Sequence, residues 1–589
     1  MKNFLKFTLA TITGIIVTSI ILFFIGVVIF FSIVSSGETE TIVKKNSIVM
    51  LNLSGELVER VTDNSLDVIL GNTEFSTCGL DDILSSIKKA KENENIKGIY
   101  LQATGLSASY ASLLEIRNAL ADFKTTGKFI IAYGDYYTQK LYYLSSVADK
   151  VLLNPRGGIE WKGLASKPLF YKDLLQNIGV EMQVFKVGSY KSTVEPYIST
   201  EMSPENRKQV TEYVTAIWGQ LVDDVSTSRN INADTLNVYA DRMLAYYPTE
   251  EFVKCGLADT LIYKNEVHDY LKNYMQLGKD DRLTVLGLKE TLNIKKNIPK
   301  DKSGNIVAVY YTFGVIDDSG INFGEEGISS EKVIKDLRKL KEDEDVKAVV
   351  LRINSPGGSA YGSEQIWYAI NELKKEKPVV VSMGDYAASG GYYISCPADC
   401  IVAEPTTLTG SIGIFGIIPN AEKLANKVGI KFDVVKTNKH SDFGSLNRPL
   451  HTSEQVLMQM AINQGYDIFL TRCAEGRSMS KEDIDNIAQG RVWTGAKAKE
   501  LGLVDELGGI DKALEIAIQK ANIEHYTILA YPEKKGLLSS LLESKPDNYV
   551  ESRLLKSKLG GYYNEFKLLR GLGKNDFIQA RLPVELNVE

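Results

Sequence analysis

The stretch Val379–Ser395, VVVSMGDYAASGGYYIS, decides the fold, because it has a counterpart 250 residues earlier in Phe129–Ser145, FIIAYGDYYTQKLYYLS. Met383-Gly384-Asp385-Tyr386 matches Tyr133-Gly134-Asp135-Tyr136, and Tyr392-Tyr393-Ile394-Ser395 matches Tyr142-Tyr143-Leu144-Ser145. Working outward, the same offset aligns Ala398-Asp399 with Ala148-Asp149 and Pro405 with Pro155. It also aligns Lys347–Leu351 with Lys97–Leu101 and Val435-Lys436 with Phe185-Lys186. The chain is therefore an internal duplication. Upstream the register drifts: Ile48-Val49 resembles Ile306-Val307 at an offset of 258, which implies about eight extra residues in the first copy.

Within the second copy, β-branched runs alternate with helical patterns. Ile306–Tyr311, Val346–Ile353 and Val379–Met383 read as strands, with helices over Ser330–Glu342 and Gly362–Lys375 between them. Strands alternating with helices of that length predict βαβ units and a mainly parallel sheet, an α/β fold. The copies span 44–294 and 306–532, joined by a linker over 295–305 that carries Pro299, Gly304 and several lysines. A tail over 533–589 has Leu pairs among lysines. It reads as an amphipathic segment against membrane or a neighbouring subunit, or as helices packing back on the body.

At 589 residues, the chain exceeds a typical domain of about 100–150 residues several times over, so two or more cores are expected. Its 44% hydrophobic and 24% charged residues suit globular folding. A net charge of -6 gives no basic footprint for a phosphate backbone, which argues against nucleic acid as a partner. The five cysteines (Cys78, Cys255, Cys396, Cys400, Cys473) fit neither a disulfide framework nor a C-x-x-C motif, and read as small buried residues. The four histidines show no metal-ligand spacing, which leaves a metal site or a Ser-His-Asp triad few candidates.

No charge interrupts the chain between Lys6 and Glu38, and Leu9–Val34 is long enough to span a bilayer, which takes roughly 20 apolar residues. It exceeds the apolar region of a signal peptide, and Ser35-Ser36-Gly37 offers only a weak cleavage signal, so an uncleaved anchor over 9–34 is expected. Lys2 and Lys6 precede the span, whereas Glu38 and Glu40 follow it. The tail 1–8 should then be cytoplasmic and the bulk should lie outside the cytoplasm.

Two glycine-bearing turns in the second copy carry the chemistry: Arg352–Ser359 (RINSPGGS) and Ala387–Tyr392 (AASGGY). Both follow apolar strands and precede helices, so their backbone N–H groups point outward and can form an oxyanion hole, with Ser389 beside it at a helix start. Taken singly, Ser389 reads as an ordinary N-cap and Gly357-Gly358 as a plain tight turn. The duplication shifts that balance. Ser389 faces Gln139, Gly390 faces Lys140, and Pro356-Gly357-Gly358 faces Leu106-Ser107-Ala108, although the surrounding framework matches. Reciprocally, Lys191 faces Ser441. Each copy keeps one half of a Ser/Lys pair. A lysine activates serine only as the neutral amine, so its pKa must fall from about 10.4, and an interface between copies can supply the burial that does this. Lys186, present in both copies as Lys186 and Lys436, is assigned a structural or surface role.

These residues carry a family resemblance over nearly the whole chain. The specific parts are Gly188–Pro196 (GSYKSTVEP), Ser355–Ser359 (SPGGS), Ala388–Gly391 (ASGG) and Thr409–Gly413 (TGSIG). The chain resembles the long, tandem-domain form of signal peptide peptidase A, in the Ser/Lys protease IV family. The resemblance implies two tandem crotonase or ClpP-like domains whose serine and lysine meet where the copies join. It further implies Ser389 as nucleophile, Lys191 as general base, Gly358 and Gly390 as oxyanion donors, and Ser411 as a hydroxyl orienting the lysine. Ser359, Ala360, Tyr361, Ile412 and Phe415 lie beside the motif turns and are candidates for the substrate pocket. The mechanism needs no metal or organic cofactor. The implied substrates are hydrophobic peptides, remnant signal peptides above all, cleaved at the outer face of the cytoplasmic membrane of a bacterium by a homotetramer. Two other readings stand beside this one: a crotonase-like enzyme acting on acyl thioesters, and a non-catalytic membrane scaffold.

Overall fold

The computed structural model describes residues 2–35, 40–61, 77–278, 281–294, 303–318, 327–533 and 578–582. Most of the sequence-predicted linker, 295–302, and most of the tail, 534–577 and 583–589, lie outside the described residues.

The elements of the second copy follow from its sequence pattern. The strands are Ile306–Phe313, Val346–Ser355 and Val379–Ala388, and the helices between them are Ser330–Glu342 and Ala360–Lys374. Ser330–Glu342 begins where the Ser329 hydroxyl accepts from Lys332 N. It buries Val333, Leu337 and Leu340, spaced to share one face, while its lysines and acidic residues face water. Each such side chain contributes about 1.5–3 kcal/mol on burial, which is what fixes this charged helix to the sheet.

Each copy builds a mainly parallel sheet. In the first the order runs Thr77–Gly79, Ser47–Val58, Ile96–Ser107, Phe129–Gly134, Lys150–Leu153, Thr260–Leu261. In the second, Ile306–Phe313, Val346–Ser355, Val379–Ala388, Cys400–Ala403 and Glu506–Leu507 repeat the corresponding path. The ladders correct one detail of the sequence alignment. Ser47 lies opposite Ile96 as Ile306 lies opposite Val346, so Ser47, and not Ile48, is the counterpart of Ile306. Strands buried on both faces read as unbroken apolar runs, so a one-residue slip leaves no trace in the pattern.

A third sheet joins the copies. Its order is Ile328–Ser329, Ile316–Asp317, Gly357–Ser359, Ile578–Arg581, Phe415–Asn420, Glu181–Lys186. Glu181–Lys186 of the first copy pairs antiparallel with Phe415–Asn420 of the second over six residues, carrying Lys191 towards the second copy's turns. From the strand Val346–Ser355, Arg352 also reaches into the first copy. Its guanidinium bonds Glu59 at 2.8 Å and Glu115 at 2.7 Å, with all three side chains buried.

At the amino terminus, Lys2–Ser35 is a single helix. Its segment Lys6–Gly26 has a mean hydropathy of 2.4 and buries nothing against the body.

Candidate active site

Ser389 stands where the strand Val379–Ala388 turns into the helix Gly390–Ser395. Its backbone has φ 54° and ψ -114°, a combination that a residue with a Cβ rarely adopts. Two hydrogen bonds hold it there: Ser389 N donates to Gly410 O at 2.8 Å, and Tyr393 N donates to Ser389 O at 2.8 Å. Although it occupies the N-cap position, its hydroxyl makes no capping bond. A fully buried serine held in a strained turn, with its hydroxyl not used for the helix, suits a functional role better than a structural one.

Lys191 reaches that hydroxyl from the other copy. Its Nζ lies 2.8 Å from Ser389 Oγ, 3.1 Å from Ser411 Oγ and 3.1 Å from Ser411 O. The lysine is completely buried, and burial alone pushes its pKa well below the ordinary lysine value. An amine in that state has two N–H donors and one lone pair. The two Ser411 oxygens can take the donors, leaving the lone pair for the Ser389 O–H. Ser411 is itself fixed, with φ 50° and its N–H donating to Arg491 O at 2.7 Å.

The turn before the helix Ala360–Lys374 supplies the facing wall. Gly357 has φ 97°, and a methyl group there would overlap Ala580 O and stand 2.6 Å from Gly390 N, so the two glycine turns close on each other. Gly358 pairs with Ile316 on one side and Ala580 on the other. Of the candidate pocket residues, Ser359 is buried and accepts from Gly362 N at 3.1 Å, capping the helix. Ala360 is half-buried, Ile412 and Phe415 are buried, and Phe415 pairs with both Lys186 and Gln579. Tyr361 points outward, 64% exposed.

The first copy's matching positions are filled differently. Gln139, opposite Ser389 in the repeat, is buried and fully engaged. Its amide nitrogen donates to Tyr110 Oη and Gly163 O, and its oxygen accepts from Lys162 N and Gly163 N. Ser441, opposite Lys191, is exposed and bonds only its own loop at Asn438.

Three residues that sequence reading did not single out secure the lysine. Gln209 donates to Tyr190 O at 3.1 Å and to Ser192 Oγ at 3.0 Å, and accepts from Val492 N at 3.1 Å, tying the two copies together beside Lys191. Gln489 O accepts from Tyr190 N at 2.9 Å. Gly490, with φ 78°, packs against the Lys191 backbone. Only Gly490 left a signal in the sequence, as a glycine before an apolar strand; Gln209 lies on the long helix Pro204–Arg229 and looks like any surface glutamine there. Lys186 is half-buried, and its Nζ donates to Lys191 O at 3.4 Å.

Comparison with known proteins adds a family. The model of Peptidase family S49 matches residues 122–278 and 371–524, one segment in each copy. A Clp protease model matches 318–401, in keeping with the ClpP-like fold of the copies. Protease 4 of Salmonella typhi is 35% identical over 89% of this chain and 86% of its own. Protease 4 of Haemophilus influenzae is 33% identical over 89% and 88%. The chloroplastic serine protease SPPA of Arabidopsis thaliana is 31% identical over 82% and 70%.

Proposed function

This chain belongs to peptidase family S49 and is a serine peptidase, and on that footing we propose that it works through a Ser389/Lys191 dyad as a membrane-anchored endopeptidase of hydrophobic peptides, remnant signal peptides among them. The observation that carries the dyad is the 2.8 Å contact between Lys191 Nζ and Ser389 Oγ in a fully buried setting. Neutral Lys191 takes the Ser389 proton as Oγ attacks the scissile carbonyl, then returns it to the leaving amine. The N–H groups of Gly358 and Gly390 receive the developing oxyanion, and Ser411 keeps the amine aimed. Water then hydrolyses the acyl-enzyme by the reverse transfers. Peptidase membership sets aside both the acyl-thioester reading and the non-catalytic scaffold.

The helix Lys6–Gly26 supports the anchor, and Lys2 and Lys6 before it support an orientation with the two copies outside the cytoplasm of a bacterial inner membrane. Tetramer formation rests on the duplication. Segment 431–436 is the repeat counterpart of the paired strand Glu181–Lys186, yet it is exposed throughout, with Val435 99% exposed. Pairing it with 165–170 of a second chain, the counterpart of Phe415–Asn420, extends the joining sheet head to tail, and such contacts close into rings.

A serine-directed covalent probe applied to the full chain in detergent tests the dyad. Labelling should map to Ser389 and vanish in Lys191→Ala; labelling of another serine, or full cleavage of a hydrophobic peptide by Lys191→Ala, would refute it.

A further inference from the structure

Glu404 is a buried carboxyl at the joint between the copies, and the dyad makes no use of it. It opens a turn in which Thr407 N donates to Glu404 O at 3.0 Å. The same turn stands 250 residues earlier, where Gly157 N donates to Asn154 O at 2.8 Å. The first copy thus builds it with a neutral amide, and that amide is satisfied: Asn154 Nδ2 donates to Asp135 Oδ1 at 2.8 Å, and its Oδ1 accepts from Arg156 N at 3.0 Å. Glu404 is poorly served by comparison. Asn118 Nδ2, of the first copy, approaches its Oε2 at 3.4 Å, and its Oε1 has no hydrogen-bond partner among the described residues.

The groups facing Glu404 discourage a negative charge. Glu115 and Asn118 face it from the first copy's helix Tyr110–Lys124, Tyr143 from Gln139–Ser145, and Asp224 from Pro204–Arg229. Arg352 faces it from the second copy, but its N–H groups go to Glu59, Glu115 and Ser382. Asn354 then links Glu59 to Asp385, a further carboxylate. One guanidinium therefore serves a cluster that already holds two ion-paired carboxylates. A third ionised carboxylate there would be buried without compensation, whereas a neutral carboxyl costs far less. Burial, and after it Glu115, push the Glu404 carboxyl up to about 8 against the opposing pull of Arg352.

The turn leads straight to the dyad. It runs into the strand Leu408–Gly410, whose Leu408 packs in the first copy's core. Gly410 O accepts from Ser389 N, and the next residue, Ser411, takes both bonds from Lys191 Nζ. Thr407 Oγ1 donates to Gly384 O at 2.8 Å, fastening the turn to the strand that ends beside Ser389. A shift of the turn away from Tyr110–Lys124 is thus passed to the serine and to the hydroxyl that aims the lysine.

We propose that Glu404 carries a proton at neutral pH, that this proton keeps the joint between the copies closed, and that its loss at alkaline pH opens the joint and displaces the dyad. Asn118 lies at the exposed rim, so a small separation there lets water reach the carboxylate. The link to cleavage rests on the Ser389/Lys191 reading, whereas the link to stability does not. The acid limb of the rate profile reports Lys191 and the alkaline limb Glu404, so the two readings fail separately.

The test compares full-length wild type in detergent with Glu404→Gln, whose amide imitates the neutral carboxyl, and with Glu404→Asn, which restores the first copy's residue. For a hydrophobic reporter peptide, wild-type kcat/KM should fall above about pH 8, and the ratio of variant to wild type should rise about 10-fold or more between neutral pH and about pH 9.5, the loss expected when reacting groups are displaced by a fraction of 1 Å to 1 Å. For stability, the folded state binds the extra proton between the ordinary value of 4.5 and about 8, so the wild type loses stability as pH rises across that window. The Tm of the variants minus that of wild type should widen from about pH 5 to 8 and hold constant above, with Lys191 contributing alike to all three proteins. A Tm difference independent of pH, or variants that melt below wild type above pH 8, would overturn the proton site. A widening Tm difference with a flat activity ratio would overturn its control of the dyad.

Discussion

Gly490 of the second copy lies so close to Lys191 of the first that a Cβ on it would stand 2.7 Å from Lys191 N, Cα and Cβ. With φ 78°, the position also disfavours any residue other than glycine. Gly490→Ala must therefore push the lysine backbone aside. A displacement of about 1 Å at a reacting group can cost on the order of 100-fold in rate. We expect a loss of that order in kcat/KM with cooperative thermal unfolding retained; unchanged kcat/KM would show that Lys191 does not need this contact.

Burial lowers the pKa of Lys191, and this fixes two pH dependences of known sign. In the proposed dyad activity needs the neutral amine, so the acid limb of kcat/KM should fall well below the ordinary lysine value of about 10.4. For stability, the unfolded state binds the proton over the window between the lowered folded pKa and about 10.4. Stability therefore rises with pH across that window, and the penalty is fully present below it. Lys191→Met, which cannot charge, removes the penalty. It should abolish cleavage and melt above wild type at neutral pH, and the difference in Tm should shrink as pH approaches 10. A difference that grows with pH would contradict a buried neutral lysine.

The exposed segment 431–436 is expected to be covered in an assembly. On the assembly proposed above, Val435→Asp places a charge on the segment that pairs with a second chain, so it should dissociate the oligomer in analytical ultracentrifugation while leaving the monomer's stability within about 0.5 kcal/mol, as surface substitutions usually do. An unaltered sedimentation profile would place the subunit contact elsewhere.

How much of this was legible in the sequence depends on the distance over which each feature is encoded. The second copy's strands and helices were read within a few residues because apolar periodicity is local, as in the helix Ser330–Glu342. Ser389 and Lys191 were picked out because the duplication exposed what each copy lacks. The contact between them was not written in either motif; it depends on the pairing of Glu181–Lys186 with Phe415–Asn420, more than 200 residues apart. Gln209 and the tail strand Ile578–Arg581 were invisible for the same reason. Nothing around Gln209 marks its bond to Val492, and four residues of a strand that completes another segment's sheet have no periodicity of their own.

Arg352 is another device that holds the copies together, and its failure should look different from that of Lys191. Two buried carboxylates, Glu59 and Glu115, keep its guanidinium charged and satisfied, and Ser382 Oγ accepts a further bond at 3.0 Å. Removing one partner of such a cluster leaves charge buried without compensation, typically about 3–5 kcal/mol. Arg352→Ala should lower the urea midpoint by a corresponding amount and reduce activity through unfolding, whereas Lys191→Met abolishes activity in a folded protein. A stronger form of the argument separates the copies altogether. Each copy has its own sheet, but Ser389 meets Lys191 only where they join. Co-expressed fragments cut in the linker should recover cleavage only when they co-purify as a complex, and cleavage by the isolated second copy would show that Ser389 finds its base without the first.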